Sequence, residues 1–236
     1  ILIIMLVSYY YISRLVKGKT RMLFALVFFF NPFVYTRLMV GQIGIIAAYL
    51  LIPAFLVYLF ELFDKDLDKK SVLKVCIAAS LIGAMTPHFF IFCFVMFVAA
   101  SFWFSFNKNK YDPAAYAKAF GILILLLLLL NLYWVQGLFV NPVLNAINSE
   151  HESFFAPKAS SGVSTIMKVF GMWGFWRENA YASVYNMIPL ALWYGAVLLL
   201  ISLLLIGYYF DNETKKSKFF YTLFWIGVVF GVGISH

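Results

Sequence analysis

Charge is what this sequence has least of. Asp, Glu, Lys and Arg make up 12% of its 236 residues, while 64% are hydrophobic. A soluble domain carries about a quarter charged residues. A water-soluble fold of this length would lack the polar side chains to cover its surface, and the apolar residues cluster in long runs, so lipid is the expected solvent. Cysteine is nearly absent as well. Cys76 and Cys93 both lie in apolar runs, which excludes a disulfide scaffold or a thiolate metal motif and leaves them as reduced core residues. No phosphate-binding loop, dinucleotide-binding glycine pattern, zinc motif or nucleophile elbow occurs. No acidic residue stands deep inside an apolar run, which argues against a proton or cation pump. No basic start with a small-residue cleavage site marks a signal peptide. The sequence opens at Ile1 inside one apolar run and closes at His236 just after another, and it reads as an internal piece of a longer chain.

What is present is a succession of eight apolar segments, at about 1–13, 22–34, 43–63, 72–86, 89–106, 119–139, 188–208 and 219–235. A full helical span takes about 20 residues. The third, sixth and seventh reach that length. The second and fourth are short, as expected of a tilted span extended by its flanks or of a half-helix in a bundle. The expected fold class is therefore all-α: a polytopic transmembrane helix bundle of about eight membrane segments, forming a single transmembrane domain over residues 1–236.

The formal net charge is +8, and its distribution is informative. Arg14, Lys17, Lys19 and Arg21 follow the first segment. Lys65, Lys69, Lys70 and Lys74 follow the third, Lys108, Lys110 and Lys118 the fifth, and Lys215, Lys216 and Lys218 the seventh. These four connections hold fourteen of the eighteen Lys and Arg residues. They share one side if every segment crosses, and the positive-inside rule makes that side cytoplasmic. Asp64, Asp66, Asp68, Asp112, Asp211 and Glu213 lie in the same loops, but acidic residues count little in this rule. A multi-pass protein of the plasma (cytoplasmic) membrane with its basic loops inside is the expected placement, with membrane lipids as its surroundings. No basic stripe runs along a polar face, so no nucleic-acid partner is expected.

The outer side keeps Arg37, Lys158, Lys168 and Arg177. Its first connection, Tyr35–Gln42, is short. Its second is a tight break at Thr86-Pro87-His88, where Pro87 lacks a backbone donor and disfavours helix at Thr86. Its third is a long external loop over 140–187. There Val163, Ile166, Met167, Phe170 and Trp173 recur at three- and four-residue steps, the pattern of an amphipathic helix lying in the outer interface.

Each polar group on that side has a chemical and a bland reading. Arg37, followed by Gln42, could clamp a phosphate bidentately or snorkel to headgroups. His88 could meet a lipid headgroup or sugar phosphate, or simply cap a helix at the interface. Trp176-Arg177-Glu178 could stack on and bond a sugar, or serve as an aromatic anchor beside an exposed ion pair. Glu150-His151-Glu152 could bind a metal or pass a proton, yet no HExxH spacing follows and a solvated loop explains it as well. Asn131 and Gln136 are expected to bond neighbouring helices.

Three stretches carry a family resemblance: Asn31-Pro32-Phe33-Val34-Tyr35 through Gly41-Gln42 with a following span that holds Pro53, the Pro87-His88 break, and Leu132-Tyr133-Trp134-Val135 ahead of the long outer loop. Over roughly residues 31–145 the chain resembles the GT-C-fold polytopic membrane glycosyltransferases, nearest to the arabinofuranosyltransferase-like and related uncharacterised membrane proteins. The resemblance implies an enzyme that transfers a sugar from a polyprenyl-phosphate-linked donor to a glycan or protein acceptor on the extracytoplasmic face, as part of cell-envelope assembly. It implies substrate-binding roles for Arg37, Gln42, His88 and Arg177 near the phosphate and sugar. The family's catalytic carboxylate lies in its first external loop, which would precede Ile1, so no catalytic residue is carried over. A divalent metal assists some relatives, but no ligand set or other cofactor is legible here. Two other classes stay open: a transporter or flippase for lipid-linked glycans, which paired inverted repeats would favour, and a non-catalytic membrane subunit.

Overall fold

The computed structural model describes residues 1–18, 20–64, 67–106 and 113–140, together with scattered positions between 192 and 219. The regular secondary structure of these residues is all α-helix, with no strand among them. Over the described residues up to Val140, seven helices follow in order: α1 (Leu2–Leu15), α2 (Thr20–Phe29), α3 (Pro32–Met39), α4 (Ile43–Asp64), α5 (Lys69–Met85), α6 (Pro87–Phe106) and α7 (Pro113–Val140). Among the described residues, three stretches are long and apolar enough to cross a membrane, namely Thr20–Met39, Ile43–Asp64 and Pro87–Phe104, and Leu2–Leu15 and Ala117–Tyr133 are shorter apolar helices. The expected outer loop over 140–187 with its interfacial helix, and the segment at 219–235, lie outside the described residues. Within 188–208 the described positions are helical, and Leu192, Leu198, Leu199, Leu205 and Ile206 are exposed.

The chain divides into two compact units. One comprises Ile1–Phe29 and Gln42–Leu144, the other Phe30–Gly41 and Asn145–His236. In the first, α4 packs against α1, α5 and α6, and α5 packs against α6 and α7. Helix α4 is apolar all round. Its buried residues run from Ile46 through Leu50, Phe55 and Leu59 to Phe63 and cover every face, as expected of a central helix rather than an amphipathic one. Pro53 interrupts its hydrogen-bond ladder without ending the helix, which membrane helices tolerate where neighbours pack around the break. Phe63 stacks on Phe104 of α6 at 4.9 Å between centroids, and Phe28 of α2 stacks on Tyr49 at 4.3 Å. The outward faces of α1, α2, α6 and α7 carry exposed Leu, Ile, Val and Phe. Such a surface suits hydrocarbon and would not suit water.

Two boundaries differ from the sequence expectation. The segment expected at 22–34 ends as helix at Phe29, and a new helix begins at Pro32. Asn31 is extended and its side chain accepts from the Val34 amide at 3.0 Å, with Pro32 at the first helical position. Asn as a cap followed by Pro is a strong start signal, because the cap satisfies an orphan amide and the ring presets the helical φ. The outer connection expected at Tyr35–Gln42 is accordingly helical through Met39. It shrinks to Val40–Gln42, turned by Gly41 at φ +75°, a left-handed conformation that glycine adopts freely. Between α5 and α6 the break is a single extended residue, Thr86 (φ −162°, ψ 125°), and Pro87 already opens α6.

Candidate functional site

Helix α4 has 22 residues, about 33 Å of rise, and the two ends of the first unit differ in chemistry. At the α4 N-terminus, Gly44 lies so close to the α5 C-terminus that a Cβ there would stand 3.1 Å from the Met85 carbonyl oxygen. Gln42 precedes Gly44, and His88 follows Met85 across Thr86. Two of the residues expected to bind substrate are therefore brought to one end of the unit. Gln42 is half-buried and its carbonyl accepts from the Ile46 amide at 3.3 Å, in the first turn of α4. His88 is exposed in the first turn of α6. Thr86 between the helices is buried.

Arg37 belongs to the second unit. It sits in the last turn of α3, 5% exposed, with its guanidinium carbon 5.4 Å from the centroid of the Phe33 ring one turn back. That spacing allows a cation–π contact, which strengthens where water is excluded. A cation near a helix C-terminus also meets the negative end of the helix dipole. Arg177, the fourth expected binding residue, lies outside the described residues, as do Glu150, His151, Glu152, Trp176 and Glu178. Among the described residues no three His, Cys, Asp or Glu side chains converge as a metal site would require.

The opposite end of the first unit is ionic. Glu61, in the last turns of α4, accepts from Arg14 Nη2 of α1 at 2.5 Å on one carboxylate oxygen and from Lys74 Nζ of α5 at 3.2 Å on the other. Glu61 is 16% exposed, whereas Arg14 and Lys74 are 41% and 45% exposed. One helical turn toward the middle, the Tyr11 and Tyr58 hydroxyls hydrogen-bond each other, and the Lys74 ammonium lies 5.5 Å from the Tyr58 ring centroid. Arg21, at the start of α2, lies 5.7 Å from the Tyr9 ring. The charge pattern of the sequence pointed to the basic residues here, but the pairing through Glu61 was not foreseen. The available signal was that Glu61 is the sole carboxylate within an apolar run, placed at its end next to the basic loop that follows.

Between these ends the polar contacts are few and serve packing. The Asn131 amide of α7 donates to Ser80 Oγ of α5 at 2.9 Å, as expected of an amide in a membrane helix. The Cys76 thiol lies 3.8 Å from the Leu123 carbonyl. Both cysteines are buried free thiols. Gln136 is exposed on α7. Comparison with protein-family models, with curated proteins and with solved structures finds no match.

Proposed function

We propose that this chain belongs to a polytopic membrane glycosyltransferase of GT-C type, one that transfers a sugar from a polyprenyl-phosphate donor on the extracytoplasmic face. The observation that carries the proposal is the polarity of α4: Gln42 and His88 stand at its uncharged end, while Arg14, Glu61 and Lys74 gather at its basic end. By the positive-inside rule the basic end would face the cytoplasm, and in this reading Gln42 and His88 face the extracytoplasmic side. Arg37, on its short capped helix just before Gln42 in the chain, supplies a shielded cation of the kind that stabilises a leaving phosphate.

The chemistry would be an inverting displacement. An acceptor hydroxyl attacks the anomeric carbon, the bond to the lipid phosphate breaks, and charge develops on the departing phosphate oxygen. Arg37 and Arg177 would stabilise that charge, and Gln42 and His88 would bond the sugar. No residue of this chain is assigned as the base that takes the hydroxyl proton.

The test is sugar transfer by the full chain in nanodiscs, supplied with radiolabelled polyprenyl-phosphate sugars and an acceptor glycan or peptide. Transfer that falls about 100-fold in Arg37→Ala, the scale for losing one charge-stabilising donor, would support the assignment. Translocation of the lipid-linked sugar without transfer would replace it with a flippase. Neither transfer nor donor binding across a broad panel would overturn it.

A further inference from the structure

The ionic corner at the basic end is not used by the chemistry above, and its geometry has a purpose of its own. Arg14 and Lys74 come from different helices and are fixed by the two oxygens of one carboxylate. Two cations against one anion leave a net positive charge. Arg14 spends one described hydrogen bond on Glu61, and a guanidinium has five N–H donors, so it retains donors for a further acceptor. Lys17, Arg21, Lys69 and Lys70 flank the corner and are exposed, while the acidic residues described nearby are Asp64 and Asp68.

Each of the two cations also tops an apolar stripe. On α1 the exposed Leu2, Leu6 and Tyr10 precede Arg14 at steps of four residues, and on α5 the exposed Ile77 and Leu81 follow Lys74 at steps of three and four. These steps place side chains in line along one helix face. A cation pair above two apolar stripes matches the build of a phospholipid, with a phosphate at the surface and acyl chains running down the bundle.

We propose that the Arg14–Glu61–Lys74 corner binds the phosphate of an anionic phospholipid, with Glu61 as the positioning carboxylate and the α1 and α5 stripes against the acyl chains. The site rests on the membrane placement of the bundle and is independent of any sugar transfer. A soluble anion would use only the cations. The apolar stripes are what commit the site to a lipid.

The experiment uses the full chain reconstituted in phosphatidylcholine bilayers with trace spin-labelled phosphatidylglycerol or spin-labelled phosphatidylcholine, and reads the motionally restricted fraction of each label. The wild-type protein should favour phosphatidylglycerol about five-fold or more, the order expected when a basic side chain meets an anionic headgroup. Arg14→Gln combined with Lys74→Gln should bring the ratio close to one, while Lys69→Gln combined with Lys70→Gln should keep most of it. Equal loss in the two double variants would overturn the site in favour of a diffuse surface potential. Two results on the wild-type protein overturn it without recourse to variants: equal restriction of both lipids, or displacement of the labelled phosphatidylglycerol by millimolar inorganic phosphate.

Discussion

Asn131 Oδ1 would stand 3.2 Å from a Cβ placed on Gly83, so the α5 glycine makes the room in which the α7 amide reaches Ser80. The same amide donates to the Leu127 carbonyl at 2.7 Å within its own helix. Hydrogen bonds between membrane helices are worth about 0.6 kcal/mol on average and about 1.7 at most. Asn131→Leu should therefore lower stability modestly. Gly83→Ala should cost about 1–3 kcal/mol, the usual penalty for overpacking, because its methyl would also press on the Phe90 ring at 2.9 Å. In a reversible unfolding titration in mixed micelles, the double variant Gly83→Ala/Asn131→Ala should be less damaging than the sum of its singles, since removing the amide relieves one of the two clashes.

Two helix glycines should respond in opposite directions. A Cβ at Gly44 would stand 3.1 Å from the Met85 carbonyl oxygen, whereas a Cβ at Gly121 meets nothing within 4 Å. Gly121→Ala should be neutral or stabilising by up to about 1 kcal/mol, the helix-propensity difference between the two residues. Gly44→Ala should destabilise, because the clash is with backbone and only a shift of α4 against α5 relieves it. Midpoints from the same titration decide the signs, and a destabilising Gly121→Ala would contradict the open space described around it.

The Arg14–Glu61 pair is partly exposed, so its coupling should be small. A double-mutant cycle with Arg14→Gln and Glu61→Gln should give about 0.2–1 kcal/mol at low salt. The coupling should shrink further at 1 M salt, where the screening length is about 3 Å. A coupling that ignores salt would indicate a drier corner than the exposures of Arg14 and Lys74 imply.

Asn31 is the cap of α3, and its loss should be felt locally. Asn31→Ala should cost about 1 kcal/mol and raise hydrogen–deuterium exchange at the Val34 amide, the group that Asn31 Oδ1 accepts from. Asn31→Asp should largely preserve protection, since it offers an equivalent acceptor. Unchanged exchange in Asn31→Ala would show that the start of α3 is held by Pro32 and packing alone.

How much of this was legible depended on whether the signal was local. The expected segments at 1–13, 43–63, 72–86, 89–106 and 119–139 all coincide with helices, because a run of apolar residues in lipid has no other way to satisfy its backbone. The break at Phe30–Asn31 was missed inside 22–34, although Asn31-Pro32 stood in plain view as part of a motif. Averaged hydropathy does not register a cap, which is a matter of one oxygen and one ring. Of the expected binding residues, Gln42 and His88 are brought to one end by the close approach of Gly44 to Met85, a contact between helices that no local pattern announces. The Glu61 pairing was illegible for the same reason, since Arg14 lies 47 positions before it.

That separation has a consequence for how the protein is made. Helix α4 is the partner of α1, α5 and α6, yet it is synthesised after α1, α2 and α3. Until it arrives, Glu61 is not there for Arg14 nor the Tyr58 hydroxyl for Tyr11, and Ser8 and Ile12, fully buried in the finished fold, lack the cover that α4 gives. At roughly 5–20 residues per second, the 47-residue interval keeps α1 waiting for seconds before its α4 partner is made. Arg14 and Tyr11 therefore spend that interval without the α4 groups that hold them in the finished bundle.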